Sequence, residues 1–361
     1  MQKHKLHFEE TAHPTFYREL KTAFAQHLRE TKQSPFANGI FWFKAALNFT
    51  VMVGAYLAMV LGWATSIPAL LLCAITFGVV SLLLIFNVAH DAVHGTLTPK
   101  RWVNVIIYRV CFVFVGISGR LWAMRHLHSH HVFTNVNGSD VDIDENPFLR
   151  LSPNHPRRSY QRFQHLYAPF VYWIALPHTT FYQDFVYLSK RELANMRNIT
   201  HPWYEYILFA VEKLLYVTLV LVIPIITIDL PAWQILIGYA IMAMAVSTLF
   251  VFTLVGTHFT METAFPAPDA SGTLPGSWAL HVIKTCLDWN PSHRLATSVF
   301  GGANAHAAHH LFPSVNHVYY GHCTALIRGA ATKHALPYQE TTLLRMLKSH
   351  FAFLKHMAVV A

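Results

Sequence analysis

The residues best suited to chemistry in this chain are its histidines, and their spacing matters more than their number. His90-Asp91-Ala92-Val93-His94 sets two imidazoles four residues apart, which on a helix is one face. His126-Leu127-His128-Ser129-His130-His131 repeats that interval and adds an adjoining His131, and His306-Ala307-Ala308-His309-His310 repeats it with intervals of three and four. One such pair alone is more often packed or hydrogen-bonded than ligating. Three groups of one geometry point to metal. Eight imidazoles are too many for a single zinc, which takes about four ligands, so two metal ions are implied. Imidazole serves iron, copper, nickel and zinc alike, so ligand type does not choose among them, and the HExxH pattern of zinc proteases is absent. His258, in Gly256-Thr257-His258-Phe259-Thr260, falls at the same depth and is a ninth candidate. His128, His281, His317 and Asp91 lie near the groups and read as structural or as hydrogen-bonded supports of the ligands. The run Asp140 to Glu145 resembles the start of a calcium loop, but its sixth position is Glu145 rather than Gly and its twelfth is Leu151 rather than Glu. It reads as a solvated acidic loop.

The elements that must position these groups are membrane helices. Hydrophobic residues make up 53% of the 361-residue chain and charged residues only 12%, against about 25% charged in an average soluble protein. Apolar runs suited to spans cover residues 45–64, 68–88, 204–228 and 232–256, paired into two hairpins by turns at Thr65-Ser66 and Asp229-Leu230-Pro231. Glu212 and Lys213 interrupt the third run, so that span either starts late or pairs its charges. Of the 27 Lys and Arg residues, only Lys213 lies outside the N-terminal, central and C-terminal stretches. The positive-inside rule then makes those three stretches cytoplasmic, with both termini inside and the hairpin tips outside. The first group follows the second span and the third follows the fourth, so all three gather on the cytoplasmic side.

Arg109 interrupts Trp102 to Ser118, and Pro169, Pro177, His178 and Asp184 interrupt Leu166 to Leu188, which suits interfacial helices better than spans. Phe16, Leu20, Phe24 and Leu28 recur every four residues, as in an amphipathic helix lying on a surface or packed into a core. The net charge of +9 is not gathered into a nucleic-acid motif. Cys73, Cys111, Cys286 and Cys323 form no CxxC pair, which argues against a disulfide framework and fits a reducing, cytosol-facing protein. The first long apolar run begins only near residue 45, so no cleaved secretory signal is expected. Without repeats or low-complexity linkers, residues 1–361 read as one domain.

The three groups resemble the histidine boxes of the membrane fatty acid desaturase superfamily, HxxxH, HxxHH or HxxxHH, and [HQ]xxHH. Phe41 to Lys44, Trp122 with Thr134-Asn135, Asp140 to Pro147, Arg150 to Pro153, Arg162 to His165 and Gly301 to Asn304 are similar to bacterial acyl desaturases. His309-His310-Leu311-Phe312-Pro313 with His317 and Tyr320 is similar to the linoleoyl-CoA and front-end branch. His306 stands where front-end enzymes usually carry Gln, the HPGG mark of a fused haem domain is absent, and Leu254 replaces an Asn that holds a metal-bound water in stearoyl-type relatives.

The resemblance implies an all-α integral membrane fold, with four transmembrane helices in two hairpins and a helical cytosolic cap formed from 1–44, 89–203 and 257–361. The cap would hold two iron ions on His90, His94, His126, His130, His131, His258, His306, His309 and His310. It also implies a narrow apolar tunnel for the acyl chain and O2-dependent desaturation of an acyl-CoA, an acyl carrier protein thioester or an acyl lipid. Electrons would come from a ferredoxin or a separate cytochrome, and the setting would be a bacterial inner membrane. A lipid hydroxylase or acetylenase on the same scaffold is the nearest alternative, although the NYxEHYG motif of alkane hydroxylases is absent. A haem-binding electron carrier or metal transporter is more remote, because the histidines lie outside the spans and the spans are nearly free of ionisable residues.

Overall fold

The computed structural model describes residues 6–9, 15–144 and 146–360, so Glu145 and the first five residues lie outside it. Among the described residues four helices are long and apolar enough to cross a membrane: Gly39–Val60, Ile67–Val93, Trp203–Thr227 and Ala232–Thr257. They fit an integral membrane protein and match the expected hairpins. The first begins six residues earlier than the apolar run because the Asn38 side chain caps it, accepting from Phe41 N at 3.0 Å. It ends at Val60, and Gly62, with φ of 73°, turns the chain just beyond it. Ser66 caps the second, with Pro68 in its first turn.

The third helix starts as early as Trp203 because the two charges that interrupt its apolar run are paired. Glu212 accepts from Arg109 at 3.0 Å, and Lys213 donates to Asp184 at 2.7 Å. Gly78 lets the second and fourth spans close on each other, since a Cβ there would stand 2.6 Å from Met242 Cγ.

Residues before, between and after the hairpins build a helical cap at one end of the bundle. Helix Phe16–Thr31 buries Phe16, Leu20 and Phe24 against Ile327 and Tyr319, so its apolar stripe is part of the cap core. Two-residue parallel pairings join His7–Phe8 to Thr273–Leu274 and Asp288–Trp289 to Glu340–Thr341. Helix Arg101–Val113 exposes Trp102, Ile106 and Val110, one per turn. Helix Gln164–Trp173 packs Ala168 and Tyr172 in a cluster with Val251 of the fourth span.

Candidate metal centre

Each histidine group is carried by a helix or by the end of one. The second span carries His90, and a π turn at Ile85–Ala89 comes immediately before it. The second group lies on a π turn itself, His126–His130, which continues Gly119–Arg125. The third occupies the short helix His306–Leu311. His258 sits just past the end of the fourth span.

All nine candidate histidines come together. His90, His94, His126 and His309 place ring nitrogens within 4.8 Å of one another, and His130, His258, His306 and His310 do the same. His131, His309 and His310 form a third such set that joins the two. Closest approaches are 2.6 Å between His306 and His258, 2.8 Å between His131 and His309, and 3.1 Å for His94 to His126.

The partition differs from the one that spacing suggests. His126 and His130, four apart, were expected to share a face, yet they belong to different sets. A π turn widens the helix beyond 3.6 residues per turn, which brings His126 to His131, five residues on, at 3.1 Å. In the third group His306 and His310 face one set while His309 faces the other.

Seven of these imidazoles are pushed toward the neutral form. Burial drives His94, His126, His131, His306, His309 and His310 well below the ordinary histidine range, with neighbouring histidines pushing the same way. Burial and the nearby His130 bring His258 down to about 3. His130 is shifted the other way. Burial lowers it, but the Asp140 and Asp142 carboxylates outweigh burial and leave it raised.

Asp140 corrects the reading of a solvated loop. Its carboxylate is fully buried and accepts from His130 Nδ1 at 3.3 Å, Asn135 N at 2.8 Å and Asp142 N at 3.0 Å. Asn135 in turn donates to the carbonyl of His258 at 2.9 Å, tying two members of one histidine set to one turn. Among the described residues of the run Asp142 alone is exposed, while Asp144 pairs with His155 at 2.9 Å. Asp91 and His317 bond to each other at 2.7 Å, and His317 also meets Lys44 at 3.1 Å. Asp288 accepts from Ala307 N at 2.8 Å and from Tyr338 at 2.7 Å, which fixes the start of the third histidine helix. His281 is buried against Phe8, and His128 is exposed. Neither joins a set.

Sequence reasoning missed Asn135, Asp140 and Asp288 as supports. The available signal for Asp140 was the apolar Val141 and Ile143 beside it, both buried, which anchor the run inside the cap. Asp140→Asn removes the charge under His130 while keeping the shape. It is expected to weaken the ion on the His130 set by about 10- to 100-fold, read by chelator competition, with the His90 set unchanged.

The arrangement is compatible with a metal centre. Both ring nitrogens of His310 are buried without a hydrogen-bond partner, a costly state that a metal on the unprotonated one would relieve. Neutral imidazole nitrogen is the form that binds a metal.

Comparison with known proteins gives the same direction. An sn-1 linoleoyl-lipid 6-desaturase of Arthrospira platensis is 27% identical over 350 residues, covering 95% of this chain and 93% of that protein. An acyl-lipid (8-3)-desaturase of Physcomitrium patens is 26% identical over 364 residues, 99% of this chain and 75% of its own length. A second sn-1 linoleoyl-lipid 6-desaturase, from Synechocystis sp., is 26% identical over 274 residues, 75% of this chain and 76% of that one. The model of the family described as fatty acid desaturase matches residues 61–342, from the end of the first span to beyond the third histidine group. On that match the chain belongs to the fatty acid desaturase family, and the reaction it carries out is desaturation of a fatty acyl chain.

Proposed function

We propose that the chain is an O2-dependent di-iron desaturase acting on acyl groups of membrane lipid. The observation that carries this reading is the pair of four-histidine sets joined through His131, His309 and His310. His90, His94, His126 and His309 would hold one ion, and His130, His258, His306 and His310 the other, with His131 on the shared side. Imidazole-only sets suit a redox-active metal such as iron. When bound, the metal pair supplies the activated oxygen needed to break unactivated C–H bonds, which acid–base side chains cannot do. The balance is one CH2–CH2 unit, O2, two electrons and two protons giving one CH=CH unit and two waters. The chain's own residues push seven of these imidazoles toward the neutral form, direct the His130 ring through Asp140, and tie down the backbone at His258 and Ala307 through Asn135 and Asp288.

The choice of lipid-borne acyl groups is supported by the relatives, whose names specify linoleoyl-lipid or acyl-lipid. Acyl-CoA and acyl carrier protein thioesters are the competing carriers. Electrons would arrive from a ferredoxin or a separate cytochrome docking on the basic face of the cap. The distribution of Lys and Arg supports cytoplasmic termini, and a bacterial inner membrane is the setting proposed. Because residues before, between and after the hairpins share the cap core and the site, 1–361 is treated as one desaturase domain.

The test is mass spectrometry of acyl chains, sorted by glycerolipid and thioester, from cells expressing the protein with a ferredoxin system. The expected result is a product about 2 Da lighter in the glycerolipid fraction, absent in cells expressing His309→Ala. A lighter product confined to thioesters would overturn the carrier. A product about 16 Da heavier would make the enzyme a hydroxylase.

A further inference from the structure

We infer that residues 101–125 and 164–189 enter the bilayer as two re-entrant segments from the cap side. Lys213 and Asp184 seal their turns inside the hydrocarbon, and the partner of their exposed faces is the acyl tails of that leaflet. Sequence alone suggested helices lying flat on the interface. Contacts with the spans place them deeper.

The fourth span, Ala232–Thr257, has 26 residues and is about 39 Å long, against a hydrocarbon thickness of about 30 Å. Helix Gln164–Trp173 leaves the cap beside Val251, and Leu176 N then donates to the Ser247 hydroxyl at 2.9 Å. Ser247 lies about 15 Å along the helix from Thr257. Further on, the Phe181 ring stands 6.3 Å from Tyr216 and 6.4 Å from Tyr239. Tyr239 lies about 27 Å from Thr257. Even if the whole excess length of this span projects into the cap, Phe181 is on the order of 10 Å or more inside the hydrocarbon. The chain then returns along the third span, with Phe185 packed on Phe209 at 5.0 Å.

The first segment reaches the same level. Phe114 meets Phe49, in the middle of the first span, at 6.4 Å. Gly116 lies so close to the third span that a Cβ would fall 2.5 Å from the Tyr216 ring and 2.7 Å from Thr180 Cγ2. The segment then turns back through Gly119–Arg125 to His126.

Backbone leaving α-geometry at membrane depth needs polar partners from the protein, because lipid offers none. Gly116, with φ of 71°, and the π turn Thr179–Gln183 are two such places. Lys213 Nζ donates to Gly116 O at 2.6 Å, Thr180 O at 2.8 Å and Asp184 Oδ2 at 2.7 Å, which uses all three ammonium protons. The same Asp184 oxygen accepts from Ser118 N at 2.7 Å. One buried ion pair thus joins both turns, and its charges cancel where a lone charge would be expensive. Outside the knot, Phe170, Trp173, Phe181 and Tyr182 are 39% to 60% exposed, a surface suited to acyl tails. Ser118 starts the helix that carries the second histidine group, so Lys213 and Asp184 are positioning residues for His126.

The test uses the full-length protein in native membranes, with half-buried Cys73 replaced by Ser. A charged, membrane-impermeant maleimide is applied to Phe181→Cys, to Tyr182→Cys as a second position, and to Arg162→Cys on the exposed cap surface. Labelling at 181 and 182 is expected to be at least tenfold slower than at 162 from either side of the membrane, and equal after denaturation in SDS. Labelling at the rate of position 162 would overturn the inference. Lys213→Met in the Phe181→Cys background is expected to speed that labelling severalfold and to lower metal bound per chain. Unchanged labelling and metal content would overturn the sealing role. Neither readout depends on which acyl carrier the enzyme uses.

Discussion

Replacing His309 by Ala is expected to abolish desaturation and to reduce bound metal by more than loss of a histidine that belongs to one set only. His309 Nε2 lies 3.3 Å from His90 Nε2 and 2.8 Å from His131 Nε2, and it alone belongs both to the His90 set and to the joining set with His131 and His310. Its loss therefore opens one ion's shell and also the side facing the other ion. His130→Ala should behave differently, because His130 belongs to one four-histidine set only. Metal analysis of purified variants is expected to give less than half the wild-type content for His309→Ala and about half for His130→Ala, with activity down at least ~1000-fold in both. Membrane insertion should survive in each, since the spans do not depend on these side chains. Full activity, or unchanged metal content, in either variant would refute the ligand assignment.

Much of this site was legible in the sequence because the chemistry is written in residue type and local spacing. His90, His94, His126, His130, His131, His306, His309 and His310 are recognisable as three repeated groups, and His258 follows from its place at the end of a span. Which histidine faces which partner was not legible. It depends on a π turn at His126–His130, a local widening that leaves no mark in an apolar period. The supports were hidden for a related reason. Asp140 and Asp288 act through backbone N–H groups of turns, and only the folded chain shows which turn a carboxylate reaches.

The four spans were legible from hydropathy to within a few residues, except where caps and the metal-bearing ends extend them. Segment 166–188 was harder. Its prolines and Asp184 break the apolar run, and the cation that makes its depth tolerable, Lys213, lies on a distant span. A pairing of that kind is tertiary information. It also explains why the charges in the third span did not shorten it.

The neutral histidines lead to a second large effect, on acid stability. Burial holds His94, His126, His131, His306, His309 and His310 well below 6.5, His258 at about 3, and His281 and His350 at about 4. Above pH 6.5 these groups are neutral in both folded and unfolded chains, so they contribute no pH dependence. Below 6.5 the unfolded chain takes up protons that the folded chain refuses, and stability falls with pH by about 1.4 kcal/mol per group per unit. His130 runs the other way, since its raised value stabilises the fold below 6.5, but it is one group against nine. Net stabilities are only about 5–15 kcal/mol, so one pH unit is enough to threaten the cap. The metal-stripped protein in detergent is therefore expected to show a flat melting temperature from pH 8 to about 6.5 and a steep fall towards pH 5. Adding Fe(II) should move the fall to lower pH, because a bound ion and a proton compete for the same nitrogen. Thermal scans at half-unit pH steps, with and without metal, would check both parts. A melting temperature that stayed constant to pH 5 without metal would mean that the histidines are not buried in neutral form. Loss of stability on acidification that added metal left unmoved would mean that they are buried but do not bind it.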